Sequence, residues 1–188
     1  MGPMKPFDAA PEFIDLDNRT QRVRSPISKE QMHNKHEAAL PPELVRGKRI
    51  LDLGSCLGAT GHWCLSHGAS SYVGVEVQEE YVRLSRELLE KYHPGKYEIV
   101  HTGIEEWLNG KHDTFDVVVL FGVIYVFVDY YSILKKVCAS CDQTLVIESL
   151  YPSRMISPRF CGVKFTDIQT INLSSGGQSR PGRGSRIS

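Results

Sequence analysis

The sequence predicts an α/β protein in three layers, a mostly parallel sheet covered on both faces by helices. Three observations predict it. From Arg49 onward, short apolar runs alternate with amphipathic segments, the pattern of parallel strands joined by crossover helices. The run Ile50-Leu51-Asp52-Leu53 passes directly into Gly54-Ser55-Cys56-Leu57-Gly58 and a helical pattern, which is how open α/β sheets present a ligand edge. The length, 188 residues with 41% apolar, fits one compact domain able to bury a core.

Taken in chain order, residues 1–27 carry prolines at 3, 6, 11 and 26 with little apolar periodicity, and are expected to be an extended or flexible lead-in. Ser28 with Gln31 is a capping-box pattern; the helix Lys29–Leu40 that follows stops at Pro41 and Pro42. Strands are expected at Arg49–Leu53, Ser71–Val77, Tyr97–His101, Phe115–Phe121 and Thr144–Leu150. Helices fall between them at Gly58–His67, Glu79–Tyr92, Ile104–Asn109 and Tyr130–Ser140. In the second of these, Tyr81, Val82, Ser85, Leu88, Leu89 and Tyr92 make one stripe, and His93-Pro94-Gly95 ends it. The core domain is therefore 28–150, with an irregular basic segment at 151–188.

That last segment holds six Lys/Arg against one acidic residue and finishes in the Gly/Ser/Arg-rich run Ser174–Ser188. Val163–Leu173 offers one strand, with Val163, Phe165, Ile168, Ile171 and Leu173 as its apolar residues.

Composition narrows the function. Lysine plus arginine equal aspartate plus glutamate at 22 each, so no global basic field draws in a bulk polyanion. The five cysteines are odd in number in a chain that needs no disulfide staples, and are expected to be reduced thiols without metal. Cys138 and Cys141 form a lone C-x-x-C with no second pair to complete a zinc site. Prolines and charges at Met1–Ala10 stand where a signal peptide needs an apolar run, and no stretch approaches a membrane span. A soluble, cytoplasmic protein is expected.

The turn after the first strand carries the chemistry. Gly54 and Gly58 let a ligand approach the backbone closely, and Asp52 puts a carboxylate beneath the turn. A dinucleotide brings a pyrophosphate and calls for G-x-G-x-x-G. The pattern D-x-G-x-x-x-G instead suits S-adenosylmethionine (SAM), whose methionine end carries an ammonium as well as a carboxylate. The next strand ends at Glu76, positioned to accept both hydroxyls of a ribose. Taken alone, Glu76 reads as a solvent-facing strand end; joined to the Asp52 turn, the ligand reading is preferred.

Here the sequence resembles the class I SAM-dependent methyltransferases, from about Lys48 to Leu150. The first motif of the family matches Leu51-Asp52-Leu53-Gly54 and Gly58, the second Glu76, the third His101–Glu105, and the fourth Phe115–Val123. Cys56 stands where many members have glycine, and Gly103 where members often have aspartate. The resemblance implies a Rossmann-like methyltransferase sandwich binding SAM through Asp52, Gly54, Ser55, Gly58, Glu76, Val77, Ile104, Glu105, Phe121 and Gly122. Val77 and Ile104 would sandwich the adenine, Glu105 would reach its edge, and Phe121 and Gly122 would line the methionine side. For Val77, Ile104 and Phe121, plain core packing is the competing account.

On the acceptor side, the fourth strand lacks the Asn/Asp-Pro-Pro-aromatic tetrapeptide of amino-group methyltransferases, and no Pro-Cys pair points to cytosine C5 chemistry. The run Phe121–Tyr125 with Glu148 resembles the branch holding small-molecule methyltransferases and the tRNA wobble-uridine carboxymethyltransferases. Tyr125 and Glu148 are the catalytic candidates, against a sheet-edge cap and a solvated strand end. His33 and His36 lie one turn apart, read first as an exposed polar face and second as a closure over the methionine end. The expected acceptor is a small molecule, with RNA as the other option; the oligomeric state is open. Two other classes stand beside this reading: a non-catalytic SAM-binding partner subunit, and an NAD-dependent oxidoreductase. Because such a fold normally ends in a hairpin covering the sheet edge, the chain is expected to be a shortened form with incomplete C-terminal strands. The rival is a compact variant with a disordered arginine-bearing arm.

Overall fold

The computed structural model describes residues 4–20, 26–149 and 168–172. Six strands form one sheet in the order β3-β2-β1-β4-β5-β6: β1 Arg49–Leu53, β2 Ser71–Glu76, β3 Tyr97–His101, β4 Phe115–Phe121, β5 Cys141–Glu148 and β6 Ile168–Asn172. β1 to β5 are parallel, and β6 pairs antiparallel with β5, Glu148 opposite Ile168. The helices are α1 Pro6–Ala9, α2 Glu12–Thr20, α3 Lys29–Ala39, α4 Pro42–Val45, α5 Ala59–Ser66, α6 Glu79–Tyr92, α7 Ile104–Asn109 and α8 Tyr130–Ala139.

The central strands carry apolar residues on both faces, as parallel strands covered from two sides must. Side chains alternate across the sheet. Ile50, Tyr72, Val117, Val119 and Val146 therefore meet α3, α5 and α6 through Met32, Trp63 and Leu89, all buried. Leu51, Leu53, Val75, Val118, Leu120 and Leu145 meet α7 and α8 through Trp107, Ile133 and Val137. Three layers result, as the alternation predicts.

β5 starts three residues before the expected Thr144, because the pairing shifts between Phe115 and Val117. That irregularity admits the exposed polar pair Asp142 and Gln143, which break the apolar pattern in the sequence. β6 lies within the expected strand 163–173. A further strand before Ser188, the basic run 174–188 and the question of a shortened chain lie outside the described residues.

The extended lead-in expected over 1–27 is corrected for Pro6–Ala9 and Glu12–Thr20, which are helical. Phe7, Ala10, Phe13 and Ile14 recur at helical spacing and are buried in the main core. Pro6 stands in the first turn of α1, and the carbonyl of Pro11 accepts from the amides of Ile14 and Asp15 as α2 begins. Proline is well suited to a helix start, so these prolines begin helices rather than break them.

Among the described residues, no helix is long and apolar enough to cross a membrane, and no group of three His, Cys, Asp or Glu could hold a metal ion. Cys138 is exposed on α8 and Cys141 is buried at the start of β5; Cys161 lies outside the described residues.

Candidate active site

The strand order reverses between β1 and β4, and open α/β sheets bind ligands in the crevice at such a point. The turn after β1 forms one wall. The amides of Gly54 and Ser55 both donate to the Val75 carbonyl, at 2.9 and 3.0 Å, which ties the turn to β2. Gly54 adopts φ 86° and a Cβ there would lie 2.5 Å from Val123 Cγ1, so only glycine fits. Gly74 leaves room on β2 for the buried Ser55, whose Oγ would lie 2.7 Å from an added Cβ.

Cys56 is left-handed as well, at φ 49°, and its amide donates to Glu76 Oε2 at 2.9 Å. Glu76 Oε1 accepts from the Gln78 amide at 2.8 Å. Glu76 is thus buried, 7% exposed, and held by two backbone donors. A carboxylate has roughly four lone-pair sites, so acceptor capacity remains for a ligand diol. It is not the solvated strand end that it resembles in isolation.

Asp52 is 2% exposed and accepts from the Tyr72 hydroxyl at 2.8 Å. Burial pushes its carboxyl up to about 7; the Tyr72 hydroxyl and the Lys35 charge oppose the shift, and Glu76 adds to it. Asp52, Ser55 and Gly54 line a small cavity of about 110 Å³ with Lys35, His36 and Phe121. His36 Nδ1 donates to the Met32 carbonyl at 2.9 Å, while Nε2 accepts from Thr60 Oγ1 at 3.3 Å. Burial pushes His36 down to about 3, so the ring is neutral.

This corrects the reading of an exposed histidine face. His33 and His36 are 3% and 2% exposed, packed with their centroids 5.1 and 5.3 Å from the Phe7 ring. α1, inside the segment expected to be an extended lead-in, covers them through Phe7.

A larger cavity of about 780 Å³ opens beside the small one. Glu76, Val77 and Ile104 line one side; Phe121, Gly122, Tyr125 and Glu148 line the other, with Gly54 between. Val77 is 63% exposed at the lip, which excludes core packing as its role. Gly58 and Glu105 line neither cavity. Gly58 starts α5 at φ 79°, where a Cβ would lie 3.0 Å from Leu89 Cδ1, so it serves helix packing. Glu105 is exposed in the first turn of α7.

Tyr125 sits on a 3₁₀ turn, Ile124–Val126, half exposed at the mouth. Glu148 is not unpaired: its side chain is 28% exposed and its Oε2 lies 2.6 Å from Lys35 Nζ. Lys35, Tyr81 and Phe127 also line the large cavity, and no site motif in the sequence marks them. Met32, His36 and Ala39 form a buried stripe on α3 that the polar residues between them conceal, and Lys35 is carried beside it. Tyr81 lies at the edge of the α6 stripe, half-buried, and lines the cavity.

The methyltransferase domain family matches residues 50–143, which is half of the chain. Among curated proteins none matches. A proposed RNA methyltransferase from Pyrococcus horikoshii superposes with a TM-score of 0.54 at 22% identity, covering 69% of this chain and 63% of its own. The proposed methyltransferase yhhF from Escherichia coli gives 0.58 at 15% identity, over 68% and 72%. An S-adenosylmethionine-dependent methyltransferase from Mesorhizobium loti gives 0.53 at 23% identity, over 64% and 54%. The chain thus spans less than two thirds of the length of the Pyrococcus and Mesorhizobium proteins, and at these identities the likeness is one of fold.

Proposed function

The chain belongs to the class I, Rossmann-like SAM-dependent methyltransferases, and on that premise we propose that it transfers a methyl group from SAM to a small-molecule or tRNA-nucleoside acceptor. One observation carries the reading: Glu76 faces the large cavity while holding the Cys56 amide, and Asp52 stands under the same turn. The donor set fits the cofactor. Asp52 offers a carboxylate to an ammonium, Glu76 has acceptor capacity left for a ribose diol, and Val77 with Ile104 offers an apolar slot to a purine.

SAM supplies a methyl group on a sulfonium, which an acceptor lone pair displaces as the carbon–sulfur bond breaks and a neutral thioether departs. The displacement needs little covalent help, so positioning carries much of the rate. Asp52 and Glu76 would hold the amino-acid end and the ribose of the cofactor from β1 and β2. Gly122, at φ 68° with its amide donating to the Glu148 carbonyl at 3.0 Å, keeps the wall after β4 free of a side chain. Tyr125 and Glu148 line the large cavity on the acceptor side.

The test is S-adenosylhomocysteine formation from SAM against a panel of small-molecule and tRNA acceptors, beside calorimetry with S-adenosylhomocysteine and NAD. Asp52→Ala or Glu76→Ala should weaken S-adenosylhomocysteine binding by about 1–3 kcal/mol through lost charge-assisted hydrogen bonds. Unchanged affinity in both variants removes the site assignment. Binding without turnover on any acceptor supports the non-catalytic partner, and NAD binding supports the oxidoreductase.

A further inference from the structure

Among the described residues, Lys35 is the single lysine or arginine lining either cavity, and it lines both. α3 brings it there: Met32 and His36, three residues before and one after, are buried against the sheet, so the Lys35 stem follows them inward. Its ammonium sits 4.7 Å from the centre of the Phe121 ring and 2.6 Å from Glu148 Oε2. Both side chains of the pair are about two thirds covered, at 32% and 28% exposure.

The small cavity therefore has a carboxylate, Asp52, in one wall and a cation, Lys35, in another. The amino-acid end of the cofactor is a zwitterion, whose ammonium and carboxylate call for partners of opposite sign. The partner that Lys35 now holds is itself a carboxylate, supplied by the protein from the end of β5. We infer that Glu148 is an internal competitor for Lys35: the cofactor's carboxylate takes Lys35 over, and Glu148, released, faces the acceptor side of the large cavity. This rests on the SAM reading above. One ion pair breaks and another forms, with no covalent change and no change of charge on Lys35. The consequence is order, since the carboxylate nearest the acceptor is unpaired only when the cofactor is in place.

The internal pair lowers the fraction of protein competent to bind the cofactor, and removing the competitor removes that tax. Calorimetry on the full chain with two ligands tests this. S-adenosylhomocysteine carries the amino-acid end; 5′-methylthioadenosine has the same nucleoside without it. For E148Q, S-adenosylhomocysteine is expected to bind about threefold to tenfold more tightly, with 5′-methylthioadenosine unchanged. For K35M, S-adenosylhomocysteine is expected to bind about tenfold more weakly, again with 5′-methylthioadenosine unchanged. A bridge that merely ties α3 to β5 moves both ligands together. Unchanged or weaker S-adenosylhomocysteine binding by E148Q overturns the inference, and this arm decides alone if K35M does not fold. Failure of the unaltered protein to bind 5′-methylthioadenosine removes the SAM reading itself, and the inference with it.

Discussion

Asp52 and Tyr72 sit two residues apart in register on the adjacent parallel strands β1 and β2, and the Tyr72 hydroxyl donates to the Asp52 carboxylate across 2.8 Å within the core. Because side chains repeat every second residue along a strand, Ile50, Asp52, Tyr72 and Gly74 share one face. The carboxylate that would meet the cofactor's ammonium is thus positioned by a neighbour that never reaches the cavity.

Cofactor affinity should therefore depend on pH. The Asp52 carboxyl, held up to about 7 by burial, is ionised only as pH rises through that value, and an ammonium needs the ionised form. Affinity for S-adenosylhomocysteine is expected to rise between about pH 6 and 8, with a proton released on binding. Calorimetry in two buffers of different ionisation enthalpy measures that proton. Asp52→Asn should flatten the profile, and Tyr72→Phe should move its midpoint to higher pH.

Stability of the ligand-free protein should respond to the same group in the opposite sense. The Asp52 carboxyl is raised from 3.8 to about 7, so its contribution is full below the ordinary carboxylate range and is lost as pH rises through about 7. His36, depressed from 6.5 to about 3, contributes above the ordinary histidine range and loses that contribution as pH falls through about 3. In denaturant titrations, Asp52→Asn should remove a decline in stability between about pH 4 and 7. An unaltered pH profile in that variant contradicts the assignment.

Cys56 bears a Cβ at φ 49°. A left-handed residue with a Cβ costs about 1–2 kcal/mol, part of which glycine returns in chain entropy. Cys56→Gly should raise stability by about 0.5–1 kcal/mol, whereas the branched Cys56→Val should lower it by more than about 1 kcal/mol; thermal unfolding reads both.

Gly61 on α5 faces the ring of Tyr72, where an added Cβ would lie 2.5 Å from Cε1. Gly61→Ala should cost about 1–3 kcal/mol by overpacking. By displacing Tyr72 from Asp52, it should also weaken S-adenosylhomocysteine binding, which calorimetry on the folded variant detects.

Phe7 is fully buried, with aromatic neighbours at His33, His36, His62 and Trp63. Phe7→Ala should cost about 3–5 kcal/mol in chemical denaturation, where an extended lead-in would lose almost nothing.

The sequence by itself determined the sheet and the turn. Apolar runs broken by Gly, Pro and capping residues are local signals, and they locate Arg49–Leu53, Tyr97–His101, Phe115–Phe121 and Glu79–Tyr92 without any knowledge of neighbours. The D-x-G-x-x-x-G spacing with Glu76 after it is equally local, since strand length and one turn fix where those residues emerge at the sheet edge. The tertiary structure decided what depends on contacts between distant segments. Phe7 and Phe13 are core residues only because α5 and α6 offer them a surface, so their short helices have no amphipathic run long enough to read. His33 and His36 look solvated until Phe7 and Trp63 close over them. Glu148 looks like a solvated strand end until Lys35, 113 positions earlier, meets it across the cavity. Periodicity reports which face of an element is apolar, whereas the partner that covers a polar side chain belongs to the packing, and it is packing that joins Lys35, Glu148 and Asp52 around one site.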